Sequence, residues 1–293
     1  MIARIVVCVL LLCAMACTKK QAEPRKSVVP TVVKIELTTQ RPTFEQILAR
    51  NENYRSVLGL DQVPYSDQFT SEYFVKLTKR RADIIPWAAQ SKPEVIFIGQ
   101  AHLNLSGDDS AQYVAVVDQV QQWVFETLKV QAKNASLITF EQFGTDERVT
   151  MSVMIRIVKE QFEMLANAYP LLKQPTIEEI ALMVETDTQA MTRAIREFVS
   201  PPIYCGEEWP NAVESTIISV IRSMSPDQVI VAQQLIDDFN WLRSEIILIR
   251  TLEFLRTQGG HKAVIVQGIF HAPHLEAIAG EYNIFLRVFL PNL

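Results

Sequence analysis

Two segments of this chain deliver a histidine at the same offset behind an apolar run. Val95 to His102 reads VIFIGQAH, and Val264 to His271 reads VIVQGIFH; in each, a glycine closes the run and a histidine follows three residues later. The chain has four histidines, and this pattern uses two of them, His102 and His271. A third apolar run, LITF, ends at Glu141. Two imidazoles and a carboxylate can ligate a divalent metal that activates water. Without metal they can serve as general base and charge partner. His274 stands about a helical turn beyond His271, where a partly exposed helix position and a role in the site are equally open to it. His261, in QGGHK, reads as a loop residue.

For these groups to meet, the runs must lie side by side. VIFI, LITF and VIVQ are apolar almost throughout rather than alternating, as in strands covered on both faces. Amphipathic segments separate them, which predicts an α/β fold: a mainly parallel central sheet flanked by helices. Ligands of such sheets bind at the carboxyl ends of the strands. The residues just past each run are then the candidates for function: Gly99, Gln100, His102 and Asn104; Glu141 and Gln142; Gly206, Glu207 and Glu208 after PIYC; Gly268, His271 and His274. At Gly99 and Gly268 a sharp turn or a close backbone approach is expected.

The flanking segments follow the same logic. PTFEQILARNENYRSVLGL predicts a helix with Thr43 as N-cap and Gln46 completing a capping box. SEYFVKLTKRRADIIPWAA predicts a second helix ended by Pro86, and SAQYVAVVDQVQQWVFETLKVQ a long third one. From Asp146 three helical patterns succeed one another without a strand, punctuated by Pro170, Pro175 and Pro201. This block, about residues 146–200, reads as a helical insertion that caps the strand edge. NAVESTIISVIRSM and a long helix from Pro226 to about Gln258 come next, then strand AVIVQ, helix APHLEAIAGEY and strand IFLRVFL, whose direction the pattern does not fix. On the long helix Ile236, Asn240, Arg243, Ile247, Arg250 and Phe254 share one stripe. Its arginines either orient Glu141 or Glu208 through a salt bridge, or clamp an anion or oxyanion of the substrate.

The first residues read as a targeting segment. MIAR is a short basic start, and IVVCVLLLCAMA an apolar stretch shorter than the ~20 residues a spanning helix needs. Residues 1–16 are expected to be a signal peptide. AMA at Ala14 to Ala16 fits ordinary secretion, while AMAC, ending at Cys17, fits a lipobox in which that cysteine is lipidated; a plain membrane anchor is the third reading. The lipoprotein reading is preferred. Residues 17–41 then form a polar, proline-containing tether, and residues 42–293 a single α/β domain. With Cys8, Cys13 and Cys17 consumed, Cys205 is left without a disulfide partner. The net charge of −5 and the lack of a basic stripe exclude nucleic acid as partner. The expected location is the bacterial cell envelope, the outer membrane if the cell is Gram-negative, with secretion as the alternative.

VIFIGQAH with LITFE downstream, and KAVIVQGIFHAPHLEAIA near the C-terminus, resemble the superfamily that includes TraB/GumN proteins, Tiki-type metalloproteases, erythromycin esterases and ChaN-type haem-binding lipoproteins. The resemblance spans about Glu94 to the C-terminus and is carried by the short motifs. It implies that His102, Glu141 and His271 form the site, catalytic or as metal ligands, and that Arg250, or in second place Arg243, is the arginine of the preceding helix. Esterase and ChaN-type members place glutamate where this chain has Gln100, which puts chemistry dependent on that carboxylate in doubt. The resemblance implies a membrane-tethered extracytoplasmic hydrolase of an ester or peptide bond, acting on a small molecule or peptide, with or without a divalent metal. Two alternatives stand beside it: a lipoprotein that holds haem or a metal without catalysis, with Tyr204 and His274 as available haem ligands, and a partner-binding protein whose site has decayed at Gln100.

Overall fold

In the computed structural model the apolar runs pair with one another. The structure describes residues 41–58, 71–102, 111–141, 155–156, 159–160, 163, 175–206 and 224–292. Strands β1 (Glu94–Gln100), β2 (Leu137–Phe140), β3 (Ile203–Cys205), β4 (Lys262–Gly268) and β5 (Phe285–Phe289) form one sheet in the order β3-β2-β4-β1-β5. Every pairing is parallel, including that of the closing strand β5 with β1. The two strands that carry Gly-x-x-His are immediate neighbours, with Gln100 opposite Gly268, and β2 flanks β4 with Phe140 opposite Val266. His102, Glu141 and His271 therefore leave the sheet at one edge.

The helices cover both faces, which is why the central strands are apolar on both. On one face α1 (Phe44–Leu58), α2 (Ser71–Ser91), α6 (Pro226–Gln258) and α7 (Ala272–Ala279) pack on Val95, Phe97, Ala263 and Ile265. On the other, α3 (Ala111–Gln131), α4 (Ile177–Asp187) and α5 (Gln189–Glu197) pack on Ile96, Ile98, Val264 and Val266. The period-two alternation of strand side chains divides the residues this way. All described residues lie in the unit Thr38–Leu293.

Helix α6 positions much of the rest. A capping box between Ser225 and Gln228 starts it, and Gly259, in the left-handed region at φ 64°, ends it. Its middle is buried all round, so its polar residues must find partners inside the protein. Asp238 accepts from Arg50 and from the Tyr54 hydroxyl at 2.6 Å, and Glu245 accepts from Arg41 and from the Tyr282 hydroxyl at 2.6 Å. Arg243 meets Glu141 at the carboxyl edge of the sheet, while Leu255 lies against Gly260, which leads into β4. The helix thus runs back along the strands, with Asn240 at their exit.

Several expectations change. The capping box of α1 forms as read, with Thr43 N–H donating to Gln46 Oε1 at 2.8 Å and Gln46 N–H to Thr43 Oγ1 at 3.2 Å. Pro86 does not end its helix: α2 continues to Ser91, because Phe74, Leu77, Ile84 and Ala88 anchor both sides of the proline in the core, and packing overrides the helix penalty of ~3 kcal/mol. Of the block 146–200 the structure describes mainly α4 and α5. These pack beside α3 on one face of the sheet, and the end of α4, at Asp187, reaches the edge. The signal peptide, Cys17 and most of the tether, together with Asn104, Gln142, Glu207 and Glu208, lie outside the described residues.

Candidate functional site

Glu141 is the hub of the edge. It is buried, and its two carboxylate oxygens receive four groups. Oε1 is hydrogen-bonded by Arg243 Nη2 and lies 3.5 Å from His271 Nε2. Oε2 accepts the Gly268 backbone N–H at 2.6 Å and lies 3.3 Å from His102 Nε2. The strands explain the meeting: β2 delivers the carboxylate, β4 the amide and His271, β1 the other imidazole. The glycines act by close approach. A Cβ at Gly99 would fall 2.7 Å from Leu290 and 2.8 Å from Ile269. At Gly268 it would lie 3.5 Å from Glu141 Oε2, 3.5 Å from the His271 ring and 3.9 Å from the His102 ring, so the absent side chain leaves a space bounded by all three.

The two histidines are pushed toward opposite charge states. Burial lowers the pKa of His271, and the neighbouring Arg243 and His274 add to that against the pull of Glu141, so its imidazole is neutral at pH 7. Its Nδ1 lies 3.3 Å from the Asn240 carbonyl and 2.8 Å from Ser244 Oγ, which itself donates to the same carbonyl at 2.7 Å. A carbonyl only accepts, so Nδ1 carries the proton. Nε2 is then unprotonated and lies 3.5 Å from Glu141 Oε1. Burial also disfavours charge on His102, but hydrogen bonding and charge from Asp187 and Glu141 outweigh it and hold its pKa up at about 10. His102 is therefore an imidazolium at neutral pH. For Glu141 burial alone would raise the pKa; Arg243, then His102 and His271, hold it well below the usual carboxylate range. The centre carries two cations, Arg243 and His102, against Glu141 and Asp187.

Asp187 has no counterpart in the sequence reading. It ends α4 and places Oδ2 3.6 Å from His102 Nδ1. A buried amide holds the loop and the helices together: Gln121 of α3 donates to the Ala101 carbonyl at 3.1 Å and accepts the Ala190 N–H at 3.3 Å. The Tyr113 hydroxyl fixes the His102 carbonyl at 2.9 Å. Ser244, also unanticipated, sets the tautomer of His271. The signal available for it was its place in the Asn240–Ile247 stripe, at the spacing that lets a serine bond the carbonyl four residues back.

The structure brings together His102, Glu141 and His271, and Arg243 rather than Arg250 completes them. Arg250 lies two turns along α6, ~10 Å by helix rise, toward the opposite edge. It is half-buried, with its guanidinium 5.6 Å from the Phe254 ring centre. The stripe is shared, but only its N-terminal part reaches the strand ends. His274 is buried in α7, its ring 4.3 Å from that of Trp241, with Nδ1 3.4 Å from Ser244 Oγ. Gln100 is buried at the end of β1. His261 is an exposed loop residue, as read.

The donor set does not fit a metal ion. His102, held as an imidazolium, has no lone pair to offer a metal, and three of the about four acceptor positions of Glu141 are taken by Arg243, the Gly268 N–H and His102. A cation added there would also meet the guanidinium on the same oxygen. Among the described residues no group of three or more His, Cys, Asp or Glu is arranged to hold one. Haem fares no better on the residues named for it. Tyr204 stacks on Phe254 with centroids 4.3 Å apart and its hydroxyl is bonded by Gln258, and His274 is enclosed between α6 and α7. No helix among the described residues is long and apolar enough to cross a membrane. No protein-family model matches this chain, and neither curated proteins nor solved structures gave a match.

Proposed function

We propose that the chain is a membrane-tethered, extracytoplasmic hydrolase of an ester or peptide bond, and that its chemistry runs on a histidine acid–base pair. The observation that supports this is one carboxylate shared by two histidines whose surroundings drive them to opposite protonation states, the arrangement that assigns base and acid. His271 Nε2 takes a proton from water, and the hydroxide adds to the substrate carbonyl carbon. The oxyanion forms beside the His102 imidazolium, which Asp187 and Glu141 flank at 3.6 and 3.3 Å. The imidazolium stabilises the oxyanion and then protonates the leaving oxygen or nitrogen as the carbonyl re-forms. One water is consumed, and an acid and an alcohol or amine leave. His271 then releases its proton to solvent and His102 takes one back at the nitrogen that gave it, which restores both rings. Arg243 keeps Glu141 ionised and in place.

This reading exchanges the part His102 would play as water-activating base for that of acid, because His102 sits between two carboxylates and His271 does not. It is tested by hydrolysis of p-nitrophenyl acetate by the full chain with and without chelator. His271→Gln and His102→Gln should each lower kcat/KM by ~10²-fold or more, and chelation should change nothing. Equal rates in both variants and wild type would remove the pair from the reaction. The tether reading rests on the AMAC sequence at Cys17: Cys17→Ser should move the protein out of the membrane fraction, and unchanged fractionation would end it.

A further inference from the structure

Buried side-chain polar atoms are nearly always hydrogen-bonded in folded proteins, so the exceptions carry information. Among the described residues these are His102 Nδ1, Asn240 Oδ1, Trp241 Nε1 and both amide atoms of Gln267. Each belongs to the site or to its frame. The Asn240 carbonyl bonds His271. Trp241 lies against His274, which shares Ser244 with His271. Gln267 directly precedes Gly268, whose N–H holds Glu141. Away from this edge buried polar groups are paired: Asp238 with Tyr54, Glu245 with Tyr282, Thr251 with Thr139. The orphans are confined to residues at this edge and beside it.

Gln267 is the most informative of them. It is fully buried, with a relative exposure of 0%. Strand alternation puts it on the α6 face with Ala263 and Ile265. Its Cα pairs with Gly99, which offers no side chain, and on the other side lies Glu141, whose N–H bonds the Val266 carbonyl. Because both ends of the carboxamide lack partners, exchanging its oxygen and nitrogen changes nothing: it presents one donor and one acceptor in a plane. Asn240 Oδ1 adds a second acceptor. An ester brings only acceptors and would leave these oxygens unpaired. An amide brings a C=O and an N–H in one plane and matches a carboxamide at both ends.

We infer that Gln267, together with Asn240, determines specificity by pairing with an amide, so that the substrate is a peptide or acylated amine rather than an ester. The inference rests on the acid–base reading of the site and names its substrate class. It also accounts for a core position filled by an unpaired carboxamide where an apolar side chain of equal length would be more stable.

The experiment uses the full chain and two probes that differ by one group, N-acetyl-alanine methylamide and N-acetyl-alanine methyl ester, with binding measured by calorimetry and hydrolysis followed in parallel. Wild type should bind the amide at least tenfold more tightly than the ester. Gln267→Met should erase that difference while raising Tm, since an unpaired polar group leaves the core, and Asn240→Leu should narrow it. Equal binding of the two probes, or no binding of either, overturns the inference. So does a Tm of Gln267→Met below wild type, which would mean that the carboxamide is satisfied inside the protein. Amide-selective binding without turnover leaves the selectivity standing and sinks the acid–base pair; turnover without selectivity does the reverse.

Discussion

Replacing Arg243 by methionine tests the centre most directly. The side chains of Arg243 and Glu141 retain 5% and 3% of their exposure, so neither charge is relieved by water. Removing one member of a buried pair costs about 3–5 kcal/mol, because the survivor stays buried and uncompensated. Glu141 keeps the Gly268 N–H at 2.6 Å and two histidines, which places Arg243→Met near the lower end, about 3 kcal/mol. Against a total stability of about 5–15 kcal/mol the variant should still fold in mild conditions. Urea unfolding monitored by circular dichroism would read the change. The double variant Arg243→Met/Glu141→Gln should be more stable than Arg243→Met alone, since no lone charge remains, and a double-mutant cycle isolates that coupling. Arg250→Met, two turns along the helix and stacked on Phe254, serves as control and should leave the coupling between Arg243 and Glu141 unchanged. A loss below about 1 kcal/mol for Arg243→Met, or a double variant whose losses simply add, would refute the pairing of Arg243 with Glu141.

The remaining predictions use pH and the glycines. His102 has a folded pKa of about 10 against an ordinary 6.5, so the stability it contributes is complete below 6.5 and is lost as pH rises through about 10; His102→Gln should remove this alkaline loss in thermal melts taken from pH 6 to 10.5. His271 and Glu141 are shifted the other way, so their contributions hold above pH 6.5 and pH 4.5 and fade as acid protonates them in the fold. The kcat/KM profile should accordingly be a broad bell, with an acid limb below the ordinary histidine value and an alkaline limb near 10; an alkaline limb at 6.5 would contradict the charge on His102. Gly268 has φ −50° and ψ 140°, which alanine adopts, and its Cβ would make only ordinary contacts. Gly268→Ala should therefore keep Tm within a few degrees and lower kcat/KM at least tenfold, by filling the space among Glu141, His271 and His102. At Gly206 a Cβ would run into Ile247, so Gly206→Ala should cost about 1–3 kcal/mol in urea unfolding.

Much of this centre is legible in the sequence because parallel strands buried on both faces leave a plain trace. Val95–Ile98 and Val264–Val266 are apolar on both sides, as is Leu137–Phe140 but for Thr139, and polar residues return where cover ends, which is where His102, Glu141 and His271 stand. Adjacency of β1 and β4 was not legible, since nothing local in VIFI or VIVQ records its neighbour. The choice between Arg243 and Arg250 failed for a related reason. Both lie on one stripe, and a stripe fixes the angle around a helix but not its axial register against the sheet. That register is set by bulk: Ile247 fills the place left by Gly206 beside Thr139, and Leu255 closes over Gly260.

Asp187 shows what pairwise motifs leave out. An imidazolium needs compensating charge on both sides if it is to persist in a buried place, and the strands supply only Glu141. The second carboxylate comes from the end of α4, in the block read as a cap, and it reaches His102 because Gln121 ties the Ala101 carbonyl to the start of α5. If that tie sets the charge on His102, Gln121→Leu should act through Asp187. The alkaline limb of the rate profile should move down from about 10 toward 6.5 in Gln121→Leu, and no further in Gln121→Leu/Asp187→Asn than in Asp187→Asn alone. Additive displacements would show that Gln121 packs the loop without governing the acid, and the helical block would then owe its place to the core beneath Ile180, Val184 and Met191 alone.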